Sequence, residues 1–263
     1  KTLPGYYDEA YFQDERHVGK FYEKDGSVKT TDTSPYINRI QDVENFHTKR
    51  GKLLELGAAR GGFIAMLRKR GWDVRGLDIS EDAVEFGRKE HKLDMFCGHF
   101  EDYPENEMFD VICMYQTLEH LPHPGRVISK AHRMLNDKGL FIAEIPNINS
   151  FDMKINRERK RLSYDLPRHL NHFSEAVLAN HLENSGFNVI HTDRYYPNFV
   201  LALLNRRSQK SGESKKTKVS SELSETTYLP MMKYPAGWKN RILQLNSMVF
   251  PGWRFTMTAQ KNG

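Results

Sequence analysis

Apolar and polar residues alternate along the middle of the chain in short blocks that predict strands and helices in turn. Short apolar runs bounded by turn residues indicate strands, and apolar residues spaced three or four apart indicate amphipathic helices. The strands are expected at 52–56, 73–78, 93–98, 110–115 and 139–145, and the helices near 61–70, 81–91 and 124–135. This alternation favours an α/β fold in which helices cover both faces of a parallel sheet.

The regular alternation stops at Pro146. After it the pattern predicts a helix at 174–185, a strand at 187–193 and a last strand at 253–260. Another helix is expected at 34–46, ahead of the first strand. We therefore expect one main domain at 46–263, interrupted by two cap insertions at about 146–173 and 195–250.

Residues 1–45 form an N-terminal extension that is rich in aromatic residues. These aromatics either lie as a lid across an active site, with Tyr11 contacting the substrate, or pack the extension onto the domain. In the second insertion, 206–227 is almost free of apolar residues and is expected to be a mobile loop. The amphipathic segment 242–250 either packs in the core, covers the active site, meets a second subunit or touches a membrane.

The stretch 52–63 reads K-L-L-E-L-G-A-A-R-G-G-F and predicts a strand, a tight turn and the start of a helix. Small residues in such a turn let backbone N–H groups and the positive end of the helix approach a ligand closely. Asp78 ends the second strand, 21 residues after Gly57. An acid at this place in a nucleotide-binding α/β fold accepts hydrogen bonds from ribose hydroxyls.

The segments E-L-G-A-A-R-G and G-L-D-I-S resemble the first two motifs of the class I S-adenosylmethionine-dependent methyltransferases. The resemblance implies S-adenosylmethionine as cofactor and a Rossmann-like sheet of seven mostly parallel strands, whose last strand runs antiparallel beside the strand at 187–193. It also implies cofactor contacts by Glu55, Gly57, Ala58, Ala59 and Gly61 at the first motif, by Asp78 and Ile79 at the second, and by Phe100 and Glu101 after the third strand. Alternatively, Glu101 only begins a solvated loop. Met114 and Gln116, at the end of the fourth strand, are expected to face the cofactor, because ligands bind at the carboxyl ends of the strands in such a sheet.

The segment F-D-V-I-C-M-Y-Q-T-L-E-H, at 109–120, is similar to a pattern in small-molecule methyltransferases, including those of ubiquinone biosynthesis. The resemblance places Glu119 and His120 near the transferred methyl group. His120 is the first candidate for the base that deprotonates an acceptor hydroxyl; alternatively it is a strut bonded to Glu119 or to backbone. In the quinone group a further glutamate three residues before the Glu-His pair helps bind a divalent metal. That position is Gln116 here, and an amide is a poorer ligand for a hard cation, so no metal is expected.

The segment D-L-P-R-H-L-N-H-F-S, at 165–174, resembles a motif of bacterial methyltransferases that modify surface polysaccharides and sugars. His169 is the second candidate base, with Arg168 and His172 as acceptor ligands; the alternative is that Asn171 and His172 only cap the following helix. The basic run at 157–161 is either a solvent-exposed face or a phosphate-binding site. A phosphate acceptor is already ionised and needs no base.

The whole chain has 263 residues and a formal net charge of +5, which suits either an anionic partner or an ordinary basic surface. Its only two cysteines, Cys97 and Cys113, lie in apolar runs and are expected to be buried thiols, which fits the cytoplasm. No run is long enough to cross a bilayer, although peripheral membrane contact stays open. No appended RNA-binding motif is present, so nucleic acid is not expected as a partner. The sequence does not indicate an oligomeric state.

Together these patterns predict an S-adenosylmethionine-dependent O-methyltransferase that acts on a small molecule. The favoured acceptor is a sugar or glycan precursor, with or without phosphate. Two alternatives remain: a quinone or phenol O-methyltransferase, and a protein that binds the cofactor without transferring methyl. Since a fold does not fix a function, the acceptor rests partly on resemblance.

Overall fold

A computed structural model describes residues 36–150, 164–195 and 254–263, without the side chain of Tyr195. It contains one seven-stranded sheet with the strand order β3-β2-β1-β4-β5-β7-β6. The first five strands pair in parallel, whereas β7 lies antiparallel between β5 and β6. The expected Rossmann-like fold, including the antiparallel last strand, is therefore confirmed.

The bounds of the elements follow the chain. The strands are β1 (Lys52–Leu56), β2 (Asp73–Asp78), β3 (Met95–Cys97), β4 (Phe109–Tyr115), β5 (Leu135–Pro146), β6 (Phe187–Tyr195) and β7 (Arg254–Lys261). The helices are α1 (Tyr36–Phe46), α2 (Gly62–Lys69), α3 (Glu81–His91), α4 (Pro124–Met134) and α5 (Glu175–Asn184). Two short 3₁₀ helices follow β3 and β4, at Phe100–Asp102 and Leu118–His120.

Side chains next to the helices fix where several of them start. The Ser80 hydroxyl accepts a hydrogen bond from the Ala83 N–H at 3.4 Å, and the Ser174 hydroxyl accepts one from the Val177 N–H at 3.3 Å. These contacts satisfy donors that the first turn of a helix otherwise leaves unpaired. The alternative that Asn171 and His172 only cap α5 is therefore wrong, because Ser174 is the capping residue.

The two faces of the sheet carry separate hydrophobic cores. Helices α1, α2 and α3 pack on one face through residues that include Ile40, Phe63 and Val84. Helices α4 and α5 cover the other face, with Ile128 and Leu182 among their buried residues. This two-sided burial explains why the strands read as nearly continuous apolar runs.

Several boundaries differ from the sequence-based prediction. Strand β3 covers only Met95–Cys97, and β5 begins at Leu135 rather than at 139. The early start of β5 includes an irregular pairing opposite Phe109 and a left-handed Lys138, which a polar Asn-Asp-Lys-Gly stretch does not reveal. The prediction for the cysteines is half wrong: Cys113 is buried, but Cys97, at the end of the short β3, is exposed.

Parallel pairing brings the carboxyl ends of β1, β2, β4 and β5 to one edge of the sheet. The segments that leave this edge are the glycine turn after Leu56, the residues after Asp78, the segment 116–121 and the segment after Pro146. Strand β7 begins at the same edge, because Arg254 pairs with Pro146. In open α/β sheets, this edge is where ligands bind.

Candidate active site

The glycine turn has a backbone shape that few residues other than glycine adopt. Gly57 and Gly61 have φ values of +75° and +76°. A Cβ atom at Gly57 would lie 2.3 Å from the Thr117 hydroxyl oxygen, so glycine is also required there for space. The N–H groups of Gly57 and Ala58 both donate to the carbonyl oxygen of Leu77, at 2.8 and 2.9 Å. The turn is thus tied to the second strand.

Asp78 braces this turn from the end of β2. One carboxylate oxygen accepts a hydrogen bond from the Ala59 N–H at 2.7 Å, and the other accepts one from the Ser80 N–H at 2.9 Å. Burial raises the pKa of Asp78, while its backbone hydrogen bonds oppose that rise. A carboxylate has about four acceptor sites, and the backbone N–H groups do not use all of them, which leaves capacity to accept from a ribose hydroxyl.

A group of buried charges lies behind the turn. Glu55 is 2% exposed, and burial raises the pKa of its carboxyl to about 8, although the charge of Arg39 opposes this shift. The Arg39 guanidinium carbon lies 4.4 Å from the centre of the Tyr115 ring. The charges of Glu144 and Glu55 raise the pKa of Arg39 against the effect of burial. Helix α1 therefore supplies a positive charge, that of Arg39, which acts on both Glu55 and Glu144.

Glu144 holds the end of β4 in place. Its backbone oxygen accepts from the Gln116 N–H at 2.8 Å, and its carboxylate accepts from the Gln116 side-chain amide at 3.3 Å. Arg254 contacts the same carboxylate at 3.2 Å. The Gln116 side chain is thus directed to Glu144, and the neighbouring Met114 is fully buried.

The two candidate cofactor contacts in the segment after β3 differ in their exposure. The Phe100 ring is buried, and the Lys130 ammonium lies 5.0 Å from its centre. The Glu101 side chain is exposed, while its backbone carbonyl accepts a hydrogen bond from Lys130 at 2.9 Å. Whether either residue meets an adenine ring stays a prediction.

Glu119, His120 and His169 form a compact cluster that we call the Glu-His cluster. The Nε2 atoms of His120 and His169 lie 3.9 and 4.0 Å from the same carboxylate oxygen of Glu119. The two imidazole rings meet edge to face, with centres 4.7 Å apart. Burial raises the pKa of Glu119 to about 8 and lowers the pKa of His120 to about 4.

Backbone hydrogen bonds hold the two halves of this cluster together. The N–H groups of Leu170 and Asn171 both donate to the Glu119 carbonyl oxygen, at 2.9 and 3.0 Å. The Asn171 side chain also donates to the Leu121 carbonyl at 2.6 Å. The two polar segments that the sequence predicted separately, at 109–120 and 165–174, are therefore parts of one site.

Of the two candidate acceptor ligands in the second segment, His172 lines a small pocket and Arg168 does not. Arg168 is paired with Asp165 at 2.5 Å, and a ring nitrogen of His172 lies 3.1 Å from the Tyr164 carbonyl oxygen. Polar and apolar side chains share the lining, which consists of Glu119, Pro146, Asn147, Ile148, His169, Asn171, His172 and Phe173.

Some candidate positions are outside the described residues, and some contributors were missed. Tyr11, the basic run at 157–161 and the insertion segments at 206–227 and 242–250 are not described. Sequence reasoning missed Arg39, Asn147 and Glu144. For Arg39 a signal existed, since it lies beside the apolar stripe of α1 that contains Tyr36, Ile40 and Val43.

The glycine turn, the acid at the end of β2 and the polar side chains after β4 and β5 define a nucleotide-cofactor enzyme of the class I methyltransferase type. A family described as a methyltransferase domain matches residues 32–192, and the chain belongs to this family. The expected cofactor, S-adenosylmethionine, is confirmed with it.

Known proteins agree with this placement. The ubiquinone biosynthesis O-methyltransferase of Neisseria meningitidis serogroup C is 28% identical over 161 residues. That match covers 54% of this chain and 66% of the relative, which is slightly less than two thirds of its length.

Two solved structures have the same fold. A methyltransferase from Archaeoglobus fulgidus has a TM-score of 0.60 at 18% identity, covering 97% of this chain and 100% of its own. The magnesium protoporphyrin IX methyltransferase of Synechocystis, solved with S-adenosylhomocysteine bound, has a TM-score of 0.60 at 13% identity, covering 99% and 98%. Among the residues that the structure describes, no helix is long and apolar enough to cross a membrane.

Proposed function

We propose that this methyltransferase transfers the methyl group of S-adenosylmethionine to a hydroxyl oxygen of a small molecule rather than of a nucleic acid. The favoured acceptor is a sugar or glycan precursor, with or without phosphate. The observation that carries the proposal is the pocket beside the Glu-His cluster, at the same sheet edge as the glycine turn. In this proposal the extension at 1–45, including Tyr11, and the insertions at 146–173 and 195–250 complete the acceptor site.

The chemistry of the pocket supports an acceptor with several hydroxyl groups. Asn147, Asn171 and His172 offer both donors and acceptors of hydrogen bonds, which is what a polyol requires from its site. The sulfonium of the cofactor is already reactive, so the protein has mainly to hold the acceptor oxygen in line with the methyl group.

His169 suits the role of base better than His120 does. Its Nε2 atom lies 3.7 Å from a carboxylate oxygen of Asp165, whose negative charge stabilises an imidazolium. His120 has a pKa near 4, far below neutral pH, and is therefore a weaker base. In the reaction the oxygen gains the methyl group, the hydroxyl proton passes to His169, and S-adenosylhomocysteine leaves.

A quinol or phenol is the second candidate acceptor. The Neisseria relative that methylates oxygen in ubiquinone biosynthesis favours it, as do Pro146, Ile148 and Phe173 in the pocket lining. An aromatic ring packs well against such side chains, while its hydroxyl faces the Glu-His cluster.

The test is an acceptor screen with isotopically labelled S-adenosylmethionine. Nucleotide sugars, sugar phosphates, free glycosides and catechol-type phenols are each incubated with the protein, and both S-adenosylhomocysteine and the labelled product are measured by mass spectrometry. Label on a sugar oxygen supports the favoured acceptor, and label on a phenol oxygen supports the second one. Label on nitrogen, or cofactor binding by calorimetry without turnover on any acceptor, contradicts the proposal.

A further inference from the structure

The Glu-His cluster has the composition and spacing of a metal site. One ligand atom from each of Glu119, His120 and His169 lies within 4.8 Å of the others. Two ligands at about 2.1 Å from a tetrahedral ion lie about 3.4 Å apart. The two imidazole-to-carboxylate distances of 3.9 and 4.0 Å therefore need to close by only about half an ångström.

The Glu119 carboxylate lacks the contacts that normally accompany burial. The side chain is 2% exposed, and neither carboxylate oxygen accepts a hydrogen bond from another described residue. Burying an ionised carboxylate is costly unless a positive charge or hydrogen-bond donors compensate it. A cation held between Glu119 and the two imidazoles would supply that compensation.

The imidazole of His120 is oriented as a metal ligand is. Its Nδ1 atom lies 2.9 Å from the Arg168 carbonyl oxygen, which requires the N–H on that nitrogen and leaves the lone pair on Nε2. The Nε2 atom is the one that faces Glu119. A backbone carbonyl on the second ring nitrogen is the usual way in which proteins orient a ligating histidine.

The third ligand comes from a part of the chain that the sequence does not connect to the other two. The expectation of no metal rested on Gln116, which replaces a glutamate, and the structure directs Gln116 to Glu144. His169 enters instead from the segment whose backbone is bonded to the Glu119 carbonyl. The missing carboxylate is thus replaced by an imidazole.

We propose that Glu119, His120 and His169 bind one divalent transition metal ion, of the Zn²⁺, Co²⁺ or Fe²⁺ type. Two imidazoles and one carboxylate favour such ions over Mg²⁺, which prefers oxygen ligands. Three protein ligands leave a coordination position for a further oxygen. This inference goes beyond the proposed function, since the ion can bind whichever acceptor is methylated. In the metal-bound chain His169 is a ligand, and it serves as the base only in the metal-free chain.

The test uses the full chain after removal of metals with a chelator. The protein is titrated with Co²⁺, which reports its ligands by visible absorption, and then with Zn²⁺ in competition. We expect one Co²⁺ per chain, displaced by Zn²⁺, and tight enough to outlast a desalting step. No binding of either ion by folded protein, or binding of Mg²⁺ alone, overturns the proposal.

Variants locate the ion. H169A and E119Q should each weaken Co²⁺ binding by roughly tenfold or more and change the spectrum, whereas H172A, which alters a histidine outside the cluster, should leave both unchanged. Two ligand variants are used so that the test survives if one of them fails to fold, which circular dichroism checks. Unchanged Co²⁺ binding in both folded variants contradicts the proposal.

The metal test and the acceptor test fail separately. A histidine that coordinates a metal is not free to act as the base. Methyl transfer at the full rate in the presence of chelator would therefore show that turnover needs no metal. That result would leave the proposed methyl transfer intact. Co²⁺ bound by the wild-type chain, but lost in H169A, supports the site even if no acceptor has been found. The affinity of the metal-free chain for S-adenosylmethionine tests the cofactor site independently of both.

Discussion

The guanidinium of Arg39 stacks on the ring of Tyr115 at 4.4 Å, and the Tyr115 hydroxyl donates a hydrogen bond to the Arg39 carbonyl at 3.4 Å. This pair joins helix α1 to the end of β4, immediately beside the buried Glu55. Helix α1 therefore acts electrostatically on Glu55, and does more than cover the sheet.

The first prediction concerns Arg39. R39M keeps most of the packing but removes the positive charge that lowers the pKa of Glu55. We expect Glu55 to be more fully protonated and to interact less with the methionine end of the cofactor, with affinity reduced by roughly tenfold for each pKa unit of change. Calorimetric titration with S-adenosylmethionine measures this. R50M, at an arginine over Trp72 on the surface, is the matched control; equal effects of both variants would contradict the prediction.

The second prediction concerns Ala59, whose backbone lies in the left-handed region that favours glycine. Ala59 has a φ of +48°, a conformation that costs a residue with a Cβ about 1–2 kcal/mol. A59G removes this cost, but glycine loses more backbone entropy on folding, which offsets part of the gain. The free energy of unfolding, measured in urea, should therefore rise by about 0.5–1 kcal/mol. K92G, at φ +53° after α3, should give a similar gain without changing cofactor affinity. Destabilisation by A59G would show that its Cβ is needed for packing.

The third prediction concerns Asp78. D78N replaces one of the two acceptor oxygens that bind the Ala59 and Ser80 N–H groups by a donor. Leaving a buried N–H without its partner costs about 1–3 kcal/mol, so both stability and cofactor affinity should fall. D73N, at the exposed start of the same strand, serves as the control for the loss of a charge. Unchanged calorimetric affinity in D78N would remove Asp78 from the cofactor site.

The fourth prediction concerns the pH dependence of stability. Glu55 has a pKa of about 8 in the folded chain, against an ordinary value of 4.5. Between these values the folded state holds a proton that the unfolded state has lost, so the free energy of unfolding falls as pH rises, by up to about 1.4 kcal/mol per pH unit. Below pH 4.5 and above pH 8, this contribution to the slope disappears.

Urea unfolding of wild type and E55Q at several pH values between 4.5 and 8 measures that contribution. E55Q should make the fall less steep by up to about 1.4 kcal/mol per pH unit. Part of the fall should remain, because burial also raises the pKa of Glu119 to about 8. E105Q, at an exposed glutamate paired with Arg133, should retain the wild-type fall over this range. A slope that is the same in E55Q and wild type would mean that Glu55 is ionised in the folded chain.

The fifth prediction separates the two histidines in catalysis. If His169 is the base, H169A should lower turnover by roughly 10²–10⁴-fold at little cost in cofactor affinity. H120A, in which the weaker base is lost, should lower turnover less. Both are compared in chelator, so that metal binding does not contribute. A larger loss in H120A would reverse the assignment, and normal turnover in both would indicate an acceptor that is already ionised.

The fold was predictable from the sequence because its signals are local. Apolar runs and the Gly57 turn each act within a few residues. The start of β5 was not predictable, since it depends on an irregular pairing with Phe109 across the sheet.

The candidate site was predictable only in its parts. Glu119 and His169 were singled out separately, but their association depends on hydrogen bonds between segments 50 residues apart. Arg39 was missed because its importance comes from two carboxylates and one aromatic ring, on three strands that no local pattern links. The exposure of Cys97 likewise depends on where β3 ends, which its apolar sequence does not indicate.

The place of β7 in the sheet has a consequence for synthesis. Among the described strands, β6 pairs only with β7, and 58 residues lie between the end of one and the start of the other. At bacterial or eukaryotic elongation rates a ribosome needs roughly 3 to 12 seconds to translate such a stretch. During that interval the nascent chain carries β6 without its partner, exposing an edge open to other chains. We therefore expect slowed translation across this stretch to increase aggregation of newly made protein.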